Sequence, residues 1–264
     1  MKAKSHIVEN ERKPDPTRIE LVPGIRLGPW QYLRFPKSLL GEESPFNHYG
    51  RWRQLLSSLV PSGTFESSGL NDLIDLHPAK FDRQLMLIQC LQNVIAAGTR
   101  GSVAEFGCFR GHTAIHLAET MQRLGDVSPF YLLDSFEGLP ESEVPEDQDW
   151  KTGELAADYE EVRERFDRFA NVEVVKGFFS ETLPKLPEQG WKFAHVDADL
   201  FVSIREVNEW LLDRVVPGGM VVYDDYGLET CKGAKKAVDE ALADRSDFIR
   251  LFLPTAQYLA IRQQ

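Results

Sequence analysis

Four acidic residues fall in two short runs, Asp197-Ala-Asp199 and Asp224-Asp225, each directly behind an apolar stretch, Phe193-Ala-His-Val and Met220-Val-Val-Tyr. Apolar runs of that length read as buried strands. Neighbouring strands lie about 5 Å apart, so the acids that follow them converge at one edge of a sheet. Converging carboxylates repel one another unless a cation or proton intervenes. A divalent metal is therefore expected on Asp197, Asp224 and Asp225. With oxygen donors alone Mg²⁺ is favoured, Mn²⁺ and Ca²⁺ would also suit, and Zn²⁺ is disfavoured for want of a Cys/His set. A cation so held lowers the pKa of an alcohol as it does that of water, and a carboxylate then takes the proton. Asp197 at the strand tip is the expected base with Asp199 in reserve, although Asp199 also suits the cap of a helix over residues 201–212. His195 shares a strand face with Asp197, where a buried, hydrogen-bonded histidine is the commoner outcome.

A second group lies upstream, at Val103-Ala-Glu-Phe-Gly-Cys-Phe-Arg-Gly111. It reads as a short strand that turns through Gly107 and Gly111 into a helix, the form of a nucleotide-type cofactor site. Dinucleotide sites place a pyrophosphate at such a helix start. Here Glu105 would repel phosphate and could instead accept from an ammonium, which favours S-adenosylmethionine, a ligand with an ammonium, a sulfonium and no phosphate. The run Phe130-Tyr-Leu-Leu-Asp134-Ser-Phe places another acid at a strand tip, where it can hold both ribose hydroxyls. Two such strands in order strengthen the cofactor reading.

These residues need elements to position them. Leu85, Ile88, Leu91 and Ile95 recur at helical spacing over residues 81–97, with Gly98 as a stop. Strands are expected at 102–106, 130–134, 172–176, 192–197 and 219–224 with helices between them, followed by a hairpin from the runs at 248–253 and 257–261. That alternation is an α/β fold: a doubly wound, mostly parallel seven-stranded sheet with a C-terminal antiparallel hairpin. Residues 1–20 are expected to be a flexible arm. Residues 21–80, rich in Pro, Gly and aromatics with a short helix near 49–59, would form a helical or irregular cap, and 81–264 the main domain. The segment 141–161 carries nine acids against Lys151 alone; such a run is usually a solvated loop, and its place after the second strand makes it a candidate lid.

Composition limits the function classes. The chain has 264 residues, 42% hydrophobic and 27% charged, as in an ordinary globular protein. A net charge of −11 without a basic stripe argues against nucleic acid. Cys90, Cys108 and Cys231 are too few and too widely spaced for a disulfide framework, and no run approaches the ~20 apolar residues that cross a bilayer. A polar N-terminal stretch lacks the apolar core of a signal peptide. The expected setting is the cytoplasm, without membrane attachment.

Five ordered blocks complete the picture: Glu105-Phe-Gly-Cys-Phe-Arg-Gly111, Leu133-Asp-Ser-Phe-Glu-Gly-Leu-Pro140, Gly177-Phe-Phe-Ser-Glu-Thr-Leu-Pro184, His195-Val-Asp-Ala-Asp-Leu-Phe201 and Pro217-Gly-Gly-Met-Val-Val-Tyr-Asp-Asp-Tyr226. Together they resemble the macrocin O-methyltransferase family, whose members methylate sugar hydroxyls of antibiotics. The resemblance implies an S-adenosylmethionine site at Glu105, Gly107, Cys108, Phe109, Arg110, Gly111, Asp134, Ser135, Phe136, Gly138, Phe179, Ser180, Val196 and Asp197. It implies magnesium on Asp197, Asp224 and Asp225, with Asp197 also the base, and a small hydroxylated acceptor. The region before the core in that family contributes to lid and dimer contacts, so a homodimer is open here. Two other readings stand beside it: a metal-dependent glycosyltransferase using Asp197-Ala-Asp199 as its Asp-x-Asp, and a cofactor-binding module without chemistry.

Overall fold

A computed structural model describes residues 19–22, 25–27 and 78–263. In the first part, β1 (Ile19–Val22) and β2 (Ile25–Leu27) pair antiparallel, Ile19 opposite Leu27. The expected arm and cap, with the helix near 49–59, otherwise lie outside the described residues.

The helix α1 spans Pro78–Ala96, its opening proline at a position where a missing N–H costs nothing. Then β3 (Ser102–Phe106), α2 (His112–Arg123), β4 (Phe130–Asp134), α3 (Tyr159–Phe166), β5 (Val172–Lys176), the short α4 (Phe179–Thr182), β6 (Trp191–Val196), α5 (Phe201–Leu211), β7 (Val215–Tyr223), α6 (Lys232–Leu242), β8 (Phe248–Phe252) and β9 (Tyr258–Arg262) follow. The seven-stranded sheet has the order β5-β4-β3-β6-β7-β9-β8. Its first five strands are parallel, and β9 pairs antiparallel with both β7 and β8. The expected sheet and terminal hairpin are both present. Boundaries shift by one to four residues: β7 begins at Val215 rather than 219, and β6 and β7 end at Val196 and Tyr223, so Asp197 and Asp224 are the first residues of the loops.

Both faces of the sheet's centre are covered, which explains why β3, β4 and β6 are buried along nearly their whole length whereas the edge strands β5 and β8 are partly exposed. Along β3, Ala104 and Phe106 belong to the core beneath α5 and α6, with Ile204, Val207, Ala234 and Val238. Val103 belongs to the opposite core with Leu87, Leu91 and Val94 of α1 and Ala114 and Leu117 of α2. The period of two therefore sends Glu105, and its neighbour His195 on β6, toward the α1 side.

The chain runs β3, β4, β5 in one direction across the sheet, then returns to place β6 and β7 on the other side of β3. The reversal separates the loops that leave β3 and β6. Such a switch point opens a crevice at the carboxyl ends of the strands, the place where open α/β sheets bind ligands.

Candidate active site

At the switch point the two loops touch. Gly107 N donates to Leu133 O at 2.8 Å and Asp197 N to Phe106 O at 2.8 Å. A Cβ on Gly107, whose φ is +88°, would lie 1.8 Å from Asp197 O. Glycine is needed there both for the conformation and for the approach.

Asp134 organises the neighbouring turns. Its Oδ2 accepts from Phe109 N at 2.7 Å and its Oδ1 from Phe136 N at 2.8 Å. Both donors are non-glycine residues with left-handed φ, +48° and +59°. Leu155 (+63°) and Asp199 (+55°) share that conformation, which costs of order 1–3 kcal/mol per residue and gathers at functional sites. Each Asp134 oxygen retains a second lone pair, the acceptors a sugar diol requires.

Two cavities meet here. The first, of about 320 Å³, is lined by Gly107, Phe109, Asp134, Ser135, Gly138, Phe179 and Ser180 and reaches Asp197 and Asp199. The second, of about 390 Å³, is lined by Arg83, Glu105, Cys108, Arg110, Trp150, Asp224, Asp225 and Gln257 and reaches the same two acids. Gly107, Phe109, Leu155, Asp197 and Asp199 border both. Of the residues expected at a cofactor, Gly111, Phe136 and Val196 border neither. Gly111 supports the fold instead, since a Cβ there would lie 2.6 Å from the Phe166 ring.

The acids divide into two groups. His195, Asp197 and Asp224 bring ligand atoms within 4.8 Å of one another, as do Asp199, Asp225 and Cys231. The expected trio of Asp197, Asp224 and Asp225 thus spans both groups, and a Cys and a His join the acids after all. Cys231 lies 34 residues beyond Asp197 and the contact depends on how α6 begins, so no local spacing announces it. Cys231 Sγ is 3.8 Å from Asp199 Oδ1.

His195 is buried between two carboxylates, Nδ1 2.8 Å from Glu105 Oε1 and Nε2 3.4 Å from Asp224 Oδ1. Burial alone would lower its pKa, but the facing Asp224 and Glu105 carboxylates more than reverse that and push it well above the usual value. Burial raises Glu105, and its Oε2 is buried without a protein partner. Burial, then the neighbouring Asp224 and Asp225, push Asp197 well up. Burial with Asp225 and Asp224 carries Asp199 to about 8, and burial with Asp224 carries Asp225 to about 6. Asp224 alone moves down, because His195 and Arg83 outweigh its burial. The donor set, four aspartates at the mouth of a crevice with three of them pushed toward protonation by mutual repulsion and burial, fits a divalent cation.

The cap role that the sequence offered as an alternative for Asp199 is filled differently. The residue before α5 is Leu200, and Phe201 N is held by Asp147, at 3.0 and 3.1 Å to its two carboxylate oxygens. Asp147 comes from the acidic segment considered as a lid and is buried against Gly233, where a Cβ would meet its Oδ1 at 1.8 Å. Trp150 Nε1 donates to Thr230 O at 3.0 Å and Lys236 Nζ to Glu146 at 2.9 Å. The middle of this segment is therefore docked on α5 and α6, walling the second cavity with Trp150 and Leu155. Sequence reasoning missed Arg83 as well. Its Nη2 contacts Asp224 Oδ2, Asp224 O at 2.8 Å and Asp225 Oδ1 at 3.4 Å.

Among the described residues no helix is long and apolar enough to cross a membrane. The model of the macrocin O-methyltransferase family matches residues 81–246. The chain is 32% identical over 157 residues to the 8-demethyl-8-(2,3-dimethoxy-alpha-L-rhamnosyl)-tetracenomycin-C 4'-O-methyltransferase of Streptomyces olivaceus, covering 55% of this chain and 60% of that protein. It is 32% identical over 167 residues to the demethyldecarbamoylnovobiocin O-methyltransferase of Streptomyces niveus, covering 58% and 62%. The matches thus span about three-fifths of each relative's length. The solved O-methyltransferase NovP superposes with a TM-score of 0.63 at 29% identity over 70% of this chain and 81% of that one. The calicheamicin methyltransferase CalS11 shares the fold, with a TM-score of 0.62 at 18% identity, over 86% and 97%. With more than half of its length matched by one family model, and with the switch-point glycine and both acidic loops inside the matched region, the chain belongs to the macrocin O-methyltransferase family.

Proposed function

We propose that this chain transfers a methyl group from S-adenosylmethionine to a hydroxyl of a sugar, or of a sugar-bearing natural product, with a divalent cation, Mg²⁺, at the acidic loops. One observation carries the reading: two cavities of about 320 and 390 Å³ meet at Gly107, Phe109, Asp197 and Asp199. One has the acid and glycine turns suited to an adenosyl group. The other is lined by polar groups suited to a hydroxylated acceptor. The relatives' names, which describe methylation of rhamnosyl tetracenomycin and of a novobiocin precursor, support that acceptor class.

In the first cavity, Asp134 would accept from the ribose hydroxyls, while Gly107 and Gly138 form wall turns so close to neighbouring backbone that a Cβ would meet Asp197 O or Glu154 O. The free Oε2 of Glu105 is an acceptor for an ammonium, although Glu105 borders the second cavity and shares its other oxygen with His195. Asp197, Asp224 and Asp225 would hold the cation, which supplies Lewis acidity to the acceptor hydroxyl when bound. Asp197 takes the hydroxyl proton. S-adenosylmethionine, when bound, would supply the methyl group: the oxygen's pair would form the O–C bond, and the C–S bonding pair would leave with sulfur. Burial and the neighbouring aspartates push Asp197 and Asp199 above the usual carboxylate range, and a bound cation would act in the opposite direction, favouring the ionised form that a base requires.

Transfer of labelled methyl from S-adenosylmethionine to rhamnosylated and other deoxysugar acceptors tests this, with and without a chelator. Asp197→Asn is expected to lower turnover by about 10²–10⁴-fold while cofactor affinity stays within about threefold. Full turnover by Asp197→Asn removes Asp197 as the base. Transfer undiminished in chelator removes the cation.

A further inference from the structure

Arg83 stands where a divalent cation would be needed. Of the two Asp224 carboxylate oxygens, Oδ1 accepts from Gln257 Nε2 at 2.6 Å and faces His195, whereas Oδ2 faces Arg83. The same Arg83 nitrogen lies 3.4 Å from Asp225 Oδ1. The side chain is tucked in, 19% exposed, yet its geometry is poor for a permanent ion pair. All its contacts to the acids fall on Nη2, and Nε is buried with no acceptor. A structural Arg–carboxylate pair normally uses the fork, two parallel N–H donors on two oxygens. Here a single nitrogen, with two N–H groups, faces three acceptors, and the Nε–H meets none.

We propose that Arg83 is a built-in monovalent counter-ion that holds Asp224 and Asp225 together while the site lacks metal and gives up Asp224 Oδ2 when a divalent cation binds. The proposal rests on the metal reading above. Its physical content is competition: a guanidinium and a metal ion drawn to the same carboxylate oxygen repel each other at contact range, so binding of one weakens the hold of the other. Arg83 lies on α1, which also lines the second cavity with Gln84 and Leu87. Loading the metal site therefore releases a guanidinium donor at the wall of the acceptor cavity. The arrangement also protects the fold, since uncompensated buried carboxylates are costly.

Calorimetric titration of metal-free protein with MgCl₂ alone tests this in the wild type, Arg83→Gln, Arg83→Lys and Asp224→Asn, with melting temperatures recorded with and without Mg²⁺. Arg83→Gln is expected to bind Mg²⁺ roughly tenfold more tightly, a change of about 1.4 kcal/mol, to melt below the wild type without metal, and to gain more from Mg²⁺. Arg83→Lys, which keeps the charge, stays near the wild type. Arg83→Gln binding Mg²⁺ no more tightly than the wild type, with Asp224→Asn still weakening it, overturns the displacement and leaves the metal site standing. No Mg²⁺ binding by the wild type or either Arg83 variant removes the metal reading and the proposal together. If Arg83→Gln fails to fold without metal, its refolding is titrated with Mg²⁺. Recovery below the concentration that saturates the wild type supports displacement, and no recovery counts against it.

Discussion

Gly107→Ala separates the roles of the crevice more sharply than any substitution of an acid. The new methyl carbon would lie 1.8 Å from Asp197 O, and ordinary contact begins at 3.4 Å, so the loops that leave β3 and β6 must part by the difference, 1.6 Å. The residue would also hold φ near +88°, outside the range that L side chains adopt readily. Left-handed strain of about 1–2 kcal/mol and overpacking of about 1–3 kcal/mol together cost roughly 2–5 kcal/mol. For a domain of this size that lowers the melting temperature by about 5–15 °C. The displacement falls between the turn assigned to the cofactor and the acid assigned to the proton, and misplacing reacting groups by about 1 Å costs on the order of a hundredfold in rate. Differential scanning calorimetry and labelled-methyl transfer, run on the same preparation below its transition, check both numbers. Wild-type stability and turnover in Gly107→Ala would refute the reasoning, because it would mean that the loops do not touch where the structure places them.

Other perturbations probe the supports of the site. Asp126→Asn leaves the Lys192 ammonium, 4% exposed and bonded to Ser128 Oγ at 2.9 Å, without its carboxylate, and breaking such a buried pair is expected to cost about 3 kcal/mol in chemical denaturation. Burial would raise Asp126, but the Lys192 hydrogen bond and those from Ser128 leave it below 3.8 in the folded state. Its contribution is therefore present above that value and lost as pH falls through the folded pKa, so the variant should show a shallower acid limb. Asp147→Ala removes the acceptor at the start of α5, costing about 1–2 kcal/mol, and should speed proteolytic cleavage within residues 141–155; unchanged cleavage would mean that Asp147 does not anchor the segment. Asp134→Ala takes the acceptor from Phe109 N and Phe136 N, and is expected to weaken S-adenosylmethionine binding at least tenfold, about 1.4 kcal/mol, measured by calorimetry.

The sheet was legible because its evidence is local. The central strands β3, β4 and β6 are short, mostly apolar runs closed by an acid or a turn glycine, so the periods and stops that identify them lie within a few residues. The catalytic candidates were legible for the same reason, as residues at strand tips. What escaped depends on pairing at long range. Arg83 meets Asp224 across 141 residues and occupies an ordinary polar position of α1. Asp147 reaches Phe201 across 54 residues and displaces the nearby Asp199 from the cap role that local propensity assigns it. Asp199, freed from that role, takes a left-handed conformation and turns its backbone N–H to Asp225 Oδ2 at 3.2 Å. Spacing told which acids gather; only packing tells how they divide between His195 and Cys231.

The decisive experiment is a calorimetric titration of the purified chain with S-adenosylmethionine, repeated with a nucleotide sugar. Saturable binding of S-adenosylmethionine, weakened by Asp134→Ala and absent for the nucleotide sugar, is the expected outcome if the cavity between Gly107 and Phe179 holds the methyl donor. Binding of the nucleotide sugar with no heat from S-adenosylmethionine would contradict it, and would turn Asp197-Ala-Asp199 into a diphosphate site.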